Sequence, residues 1–474
     1  MKSRIQAHDD RIKGVGLVTG GIFVLEGLAV VSFLSLYRIS ANGSVADSLL
    51  SIWGLMFIGA LAGAAVLACI IGLTCYRQWR AGSKKCLLGL AMNVLVVGTM
   101  VLTAEVALRL AAVGDTAYDT KLGKYRLYPR QWDKVVATYK AVLAKAQLHP
   151  TYLVSDETLG WTVAPNRKSE NGLYVSSAEG LRSAVQGVSL KDGARACRIA
   201  LVGDSYTFGE NVAFEDTWGS QLDHDLQERC QILNFGVIGY GIDQMYLRYL
   251  QDVRSWHPDM VIFAFINADL ERAMGSYGFL LFPDGRFPFT KPRFVLKDDQ
   301  LEVINRPLLS PHKTFASTSI HDLPFINYDV DYAPAEWDRP GWEFFNRSYI
   351  FRVLYTCLHP LDKLDRPETS TSETMRLNGA LLLKVQQAII DDGARPLIVL
   401  LPTEWDRLEG VDEKLGVKLL NSTHITHVDL TACMKPFAKT DLFNAQNTGG
   451  HYSIRGNREA ANCLIEDVKL LMRP

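Results

Sequence analysis

From residue 197 onward the chain alternates short apolar runs with longer amphipathic ones, and this alternation most narrows its fold. Residues 198–202, 232–235, 260–266, 397–401 and 425–430 read as strands. Residues 216–229, 243–256, 374–390 and 455–472 carry helical periodicity, with Trp218, Leu222 and Leu226 on one face of the first. Short strands that are apolar throughout, separated by amphipathic helices, belong to a parallel sheet covered on both faces. The expectation is an α/β domain: a doubly wound sheet of five parallel strands whose functional edge is where the strands end. The interval 270–373 interrupts the alternation. Its residues 292–296 and 301–304 flank Lys297-Asp298-Asp299-Gln300 and read as a β-hairpin. Long insertions of this kind shape binding sites or lids, and Tyr277, Phe279, Phe282, Phe287 and Phe289 are its candidate cleft aromatics, with a structural role as the alternative.

The first strand ends in Gly203-Asp204-Ser205. A strand that turns into a helix at this point lifts a serine hydroxyl to the carboxyl edge of the sheet. The helix N-terminus behind it presents N–H groups and partial positive charge to a developing oxyanion. Serine is a weak nucleophile and needs a base within hydrogen-bond reach. Among ten histidines, His451 is best placed, in Gly449-Gly450-His451-Tyr452-Ser453 just before the last helix. His424 and His427 bracket a strand at an odd spacing that puts them on opposite faces, so they do not form a ligand pair. After the second strand comes Asn234-Phe235-Gly236-Val237-Ile238-Gly239-Tyr240-Gly241, whose glycines allow a tight turn with an N–H aimed into the cleft. Asn267 follows the third strand; it reads either as an oxyanion donor or as a helix cap.

Together these pieces resemble the SGNH/GDSL hydrolase family over about residues 197–474. Gly203-Asp204-Ser205 is similar to the first block, Gly239 to the glycine of the second, Asn267 to the asparagine of the third, and His451 to the base of the fifth. The resemblance implies a flavodoxin-like sheet. It implies Ser205 as nucleophile, His451 as base, and an oxyanion hole of the Ser205 N–H, the Gly239 N–H and the Asn267 side chain. It also implies ester chemistry without a metal or other cofactor.

One position departs from the family. Its members commonly carry an aspartate three residues before the histidine, where this chain has Thr448. The nearest upstream carboxylate is Asp441. Either Asp441 folds back onto His451, or a backbone carbonyl or Asn447 orients the ring, or the acid is absent.

The first 112 residues are of another kind. Runs at about 14–37, 49–76 and 86–112 are each long enough to cross a bilayer. Lys2, Arg4, Arg11 and Lys13 precede the first run, and Arg77, Arg80, Lys84 and Lys85 fill the second loop. The positive-inside rule puts these in the cytoplasm and everything after the third run outside. The expectation is an all-α region of three transmembrane helices in a bacterial inner membrane (1–112), an extracytoplasmic connector (113–196) and the hydrolase-like domain (197–474). Glu26 and Glu105 lie inside these runs. Glu105 has Arg109 one turn on as a partner.

Export permits disulfides. Cys197 and Cys230 open the first two strands, and pairing between neighbouring strands would bring them within bonding range; two buried thiols are the alternative. The net charge of −1 argues against a nucleic-acid partner. Three functions remain open at this point. The first is an esterase acting on acyl esters near the envelope, such as an acylated polysaccharide or lipid-linked glycan. The second is an O-acyltransferase to an envelope polysaccharide, which needs an acyl-donor partner in envelope biosynthesis. The third is a binding or assembly protein that kept the fold without the chemistry.

Overall fold

Five strands, β1 (Cys197–Gly203), β2 (Cys230–Asn234), β3 (Met260–Phe265), β4 (Arg395–Leu400) and β5 (His427–Asp429), form one parallel sheet in the order β5-β4-β3-β1-β2. The computed structural model describes residues 85–472 and isolated positions between 73 and 80, apart from 115–118, 124, 194, 284, 359–370, 408–413 and 445–449. Chain contacts divide it into two units, Met1–Val135 with Pro334–Asp365, and Val136–Ala333 with Arg366–Pro474.

The sheet belongs to the second unit. Alternation along each strand sends side chains to two separate cores. Ala200 and Val202, Val261, Phe263 and Phe265, Ile398 and Leu400 face α2 (Ile242–Gln251), α3 (Thr371–Asp391) and α4 (Leu415–Thr423). Ile199 and Leu201, Ile262 and Ala264, Leu397 and Val399 face α1 (Trp218–Asp225) and α5 (Ile454–Leu471). Both faces are thus covered, as the continuous apolar strands require. The order reverses at β1, between β2 and β3, so the crevice beyond the strand ends opens beside Gly203. Helix α4 has no counterpart among the expected elements. Gly416 near its start and the shortness of the segment, nine residues, weaken its periodic signal.

The expected hairpin forms with Phe294–Lys297 antiparallel to Gln300–Val303. Asp298 and Asp299 make its two-residue turn at φ of 49° and 58°, the left-handed pair that a tight hairpin needs. Within the insertion, Lys291 is fully buried and bonds Asp243 of α2. Cys197 and Cys230 sit directly opposite each other in the β1–β2 register and are bonded. A second disulfide, Cys433–Cys463, ties the short helix Thr431–Met434 to α5. Residues expected only to connect also enter the core of this unit: Leu153–Asp156 pairs with Gly160–Val163, and Trp161 is fully buried.

In the first unit, helix Lys85–Ala111 leads into a small antiparallel sheet of Ala112–Gly114, Thr120–Leu122 and Tyr125–Arg126. Arg130 is buried between Asp119 at 2.9 Å and Glu336 at 2.5 Å. Glu105 bonds Arg109 at 2.8 Å, as its spacing implied. It also accepts from the Tyr349 and Ile350 N–H groups and the Ser348 hydroxyl, closing the first turn of helix Tyr349–Leu358. The expected spans 14–37 and 49–76, with Glu26, lie outside the described residues apart from isolated positions. The third expected span falls on helix Lys85–Ala111. Among the described residues no helix is long and apolar enough to cross a membrane. The three-span region therefore stands on the sequence alone.

Candidate active site

Close backbone approach shapes the serine turn. A Cβ on Gly203 would lie 2.6 Å from the Ala264 carbonyl and 2.0 Å from Thr207 Oγ1, so only glycine ends β1 here. Asp204 caps the four-residue helix Ser205–Phe208, its carboxylate accepting the Tyr206 N–H at 2.9 Å. Ser205 is the first residue of that helix, where no intrahelical acceptor exists for its N–H. Asn234 at the end of β2 donates to the Thr207 carbonyl at 2.8 Å and accepts the Gly236 N–H at 2.9 Å. One side chain thereby locks the second strand's turn to the serine turn.

Gly239 adopts φ +81°, the left-handed region. A Cβ there would meet the Phe282 and Phe287 rings at 3.1–3.2 Å. Among the described residues no backbone acceptor takes the Gly239 N–H. The Trp161 indole donates to the neighbouring Ile238 carbonyl at 2.9 Å and fixes the turn from behind. Of the five insertion aromatics, Tyr277, Phe279, Phe287 and Phe289 are buried, and Phe279 packs edge-on against Tyr139 in the core. Phe282 is the half-buried one, lying against Phe287 and under the Arg272 guanidinium.

His451 reaches Ser205 across 246 residues of chain: Nε2 lies 2.8 Å from Oγ. Its loop is held from both sides. Tyr206 donates to the Gly450 carbonyl at 3.2 Å, and Tyr452 donates to the Pro402 carbonyl, just past β4, at 2.8 Å. The Asn444 N–H donates to the His451 carbonyl at 2.8 Å. Burial pushes the Tyr206 phenol up, with Asp204 adding to the shift, so it acts here as a neutral donor.

Asn267 opens the short helix Asn267–Arg272 after β3. Its carboxamide donates to Asp406 Oδ1 at 2.7 Å and accepts the Gly416 N–H at 2.7 Å. An amide nitrogen carries two N–H groups, and this bond uses one of them. Asp441 does not meet His451. Its carboxylate is 43% exposed and bonds Arg455 at 2.9 Å, because α5 begins beside it. Thr448 and Asn447 lie outside the described residues.

Two features went unforeseen. Behind Ser205, Arg272 bonds Asp269 and Asp204, all three buried or nearly so. In front, Glu210 Oε2 stands 3.3 Å from His451 Nε2. The sequence signal for Glu210 was its place five residues after the serine, on the same turn. A cavity of about 330 Å³ lies at the other edge of the sheet, lined by Cys197, Cys230, Asp259 and Arg395 at or beside the strand starts.

No family model matches the chain, and no curated relative was found. The solved structures that are similar to it include a putative lipolytic protein of the G-D-S-L family from Desulfitobacterium hafniense (13% identity, 56% of this chain and 99% of that one, TM-score 0.29), a lipase/acylhydrolase from Enterococcus faecalis (13%, 59% and 98%, 0.31) and an acetyl xylan esterase (13%, 57% and 99%, 0.28). Likeness at this level does not extend to a shared activity.

Proposed function

We propose that this protein is a serine esterase of the SGNH type, tethered to a bacterial inner membrane by its N-terminal helices, with its N-terminus in the cytoplasm and its catalytic domain outside. The single observation that carries the chemistry is the 2.8 Å contact between His451 Nε2 and Ser205 Oγ at the carboxyl edge of the sheet. His451 accepts the Ser205 proton as Oγ attacks the ester carbonyl, then gives it to the departing alcohol oxygen. Water repeats the sequence on the acyl-enzyme. The Ser205 N–H, the Gly239 N–H and the Asn267 carboxamide hold the oxyanion. The tether rests on the three apolar runs and their flanking basic residues. It favours an ester on an envelope polysaccharide or glycolipid.

The test is full-length protein in detergent, with p-nitrophenyl acetate and a serine-directed fluorophosphonate. Turnover and labelling are expected, and both are lost in Ser205→Ala. Labelling that survives in that variant overturns the reading. Acyl transfer to an added polysaccharide, faster than hydrolysis, would assign the same acyl-enzyme to a transferase.

A further inference from the structure

Glu210 is fixed to the nucleophile's own turn. Its N–H and that of Gly209 both donate to the Ser205 carbonyl at 3.0 Å, with Gly209 left-handed at φ +81°. The Glu210 side chain is 10% exposed and that of His451 14%. The Glu210 carboxylate stands 3.3 Å from Nε2, the ring nitrogen that faces the serine.

We propose that Glu210 is a positioning residue that stabilises protonated His451 from the serine-facing side of the ring. In the familiar triads a carboxylate does this at the opposite nitrogen. The proposal rests on the esterase reading. During acylation the Ser205 O–H bond breaks, its proton passes to Nε2, and the Oγ–C bond forms. The imidazolium then returns that proton to the leaving oxygen as the C–O bond breaks. Glu210 neither gives nor takes a proton in these steps; a carboxylate charge beside the imidazolium favours the charged ring.

Other charged and titratable groups near the pair, among the described residues, are Tyr206, Asp204, Glu404 and Arg286. Tyr206 packs on the imidazole with ring centres 5.0 Å apart. Asp204 lies behind Ser205 Oγ at 3.3 Å and is bonded to Arg272. Glu404 lies beside Gly450 and pairs with Lys439 at 3.1 Å. Arg286, itself 64% exposed, lies 3.6 Å from Glu210 Oε1, the carboxylate oxygen other than the one nearest His451.

A neighbouring carboxylate raises the pKa of an imidazole, and its removal lowers it. The unprotonated base then appears at lower pH. Rates of fluorophosphonate labelling against pH, on full-length wild type, E210Q, E210D and S205A, test this. E210Q is expected to move the inflection down by about one pH unit and to lower the plateau rate by about tenfold. E210D should restore most of both. An E210Q profile with an unmoved inflection overturns the proposal, even where its melting temperature falls. Labelling of S205A at the wild-type rate instead overturns the esterase reading itself, so the two failures are distinguishable.

Discussion

Arg272 bonds Asp269 at 2.7 Å, less than one turn back on the same short helix, and Asp204 at 3.1 Å through the same guanidinium nitrogen. Two carboxylates thus share one cation behind Ser205. Burial, then repulsion from Asp204, holds the Asp269 carboxyl well above the usual carboxylate range. The Asp204 cap that shapes the serine turn is held by this cluster.

An acid whose folded-state pKa is raised binds its proton more tightly in the folded chain. Its contribution is favourable below its unfolded value of about 4, and is lost as pH rises through the folded value. Asp269→Asn leaves a balanced Asp204–Arg272 pair. Urea unfolding at pH 4.5 and pH 8 should show the variant gaining on wild type as pH rises. An equal difference at both pH values would contradict the shift.

Gly239→Ala tests the oxyanion turn. The left-handed φ strains any L side chain by about 1 kcal/mol, and the new methyl must displace Phe282 or Phe287. On the proposed reading, the turn then shifts its N–H away from the oxyanion. The kcat on p-nitrophenyl acetate is expected to fall about 10²-fold with KM nearly unchanged, because an oxyanion donor acts in the transition state.

The sheet was legible because its inner strands, β1, β3 and β4, are buried over most of their length and so read as apolar runs. The convergence of Ser205 and His451 was legible because both follow from one topological fact, that strand ends share an edge. Other features were written in no local pattern. Glu210 was not legible beside His451 because this carboxylate sits on the serine turn, 241 residues before the histidine in the chain, and not just upstream of it. Cys433 and Cys463 open no strands, so no register brought them together on paper. Phe279 and Phe287 resembled cleft aromatics, but an insertion that packs on the domain needs its own core.

Lys291 and Asp243 form an ion pair with neither side chain exposed, joining the insertion to α2. Burial lowers the lysine pKa and raises that of the aspartate, so each depends on the other for its charge. Lys291→Met leaves Asp243 buried without its counter-charge and should cost about 3–5 kcal/mol. Asp243→Asn added to it should recover much of that loss. A double-mutant cycle in urea measures the coupling; additive losses would show that the pair acts only through packing.

Asn267 and Asp406 supply the last test. Asp406 Oδ2 is fixed by the Thr403 N–H and hydroxyl at 2.8 and 2.7 Å, and its Oδ1 holds the Asn267 carboxamide. The aspartate therefore aims the amide, and on the proposed reading the amide's other N–H meets the oxyanion. Asn267→Ala should lower kcat about 10²-fold at nearly constant KM. Asp406→Ala should lower it by about tenfold, because the amide is kept but left free to rotate. Steady-state kinetics of both variants, with thermal melts beside them, decide the matter. Loss of melting temperature with full kcat in Asn267→Ala would reduce the residue to a cap that ties Gly416 and α4 to the end of β3.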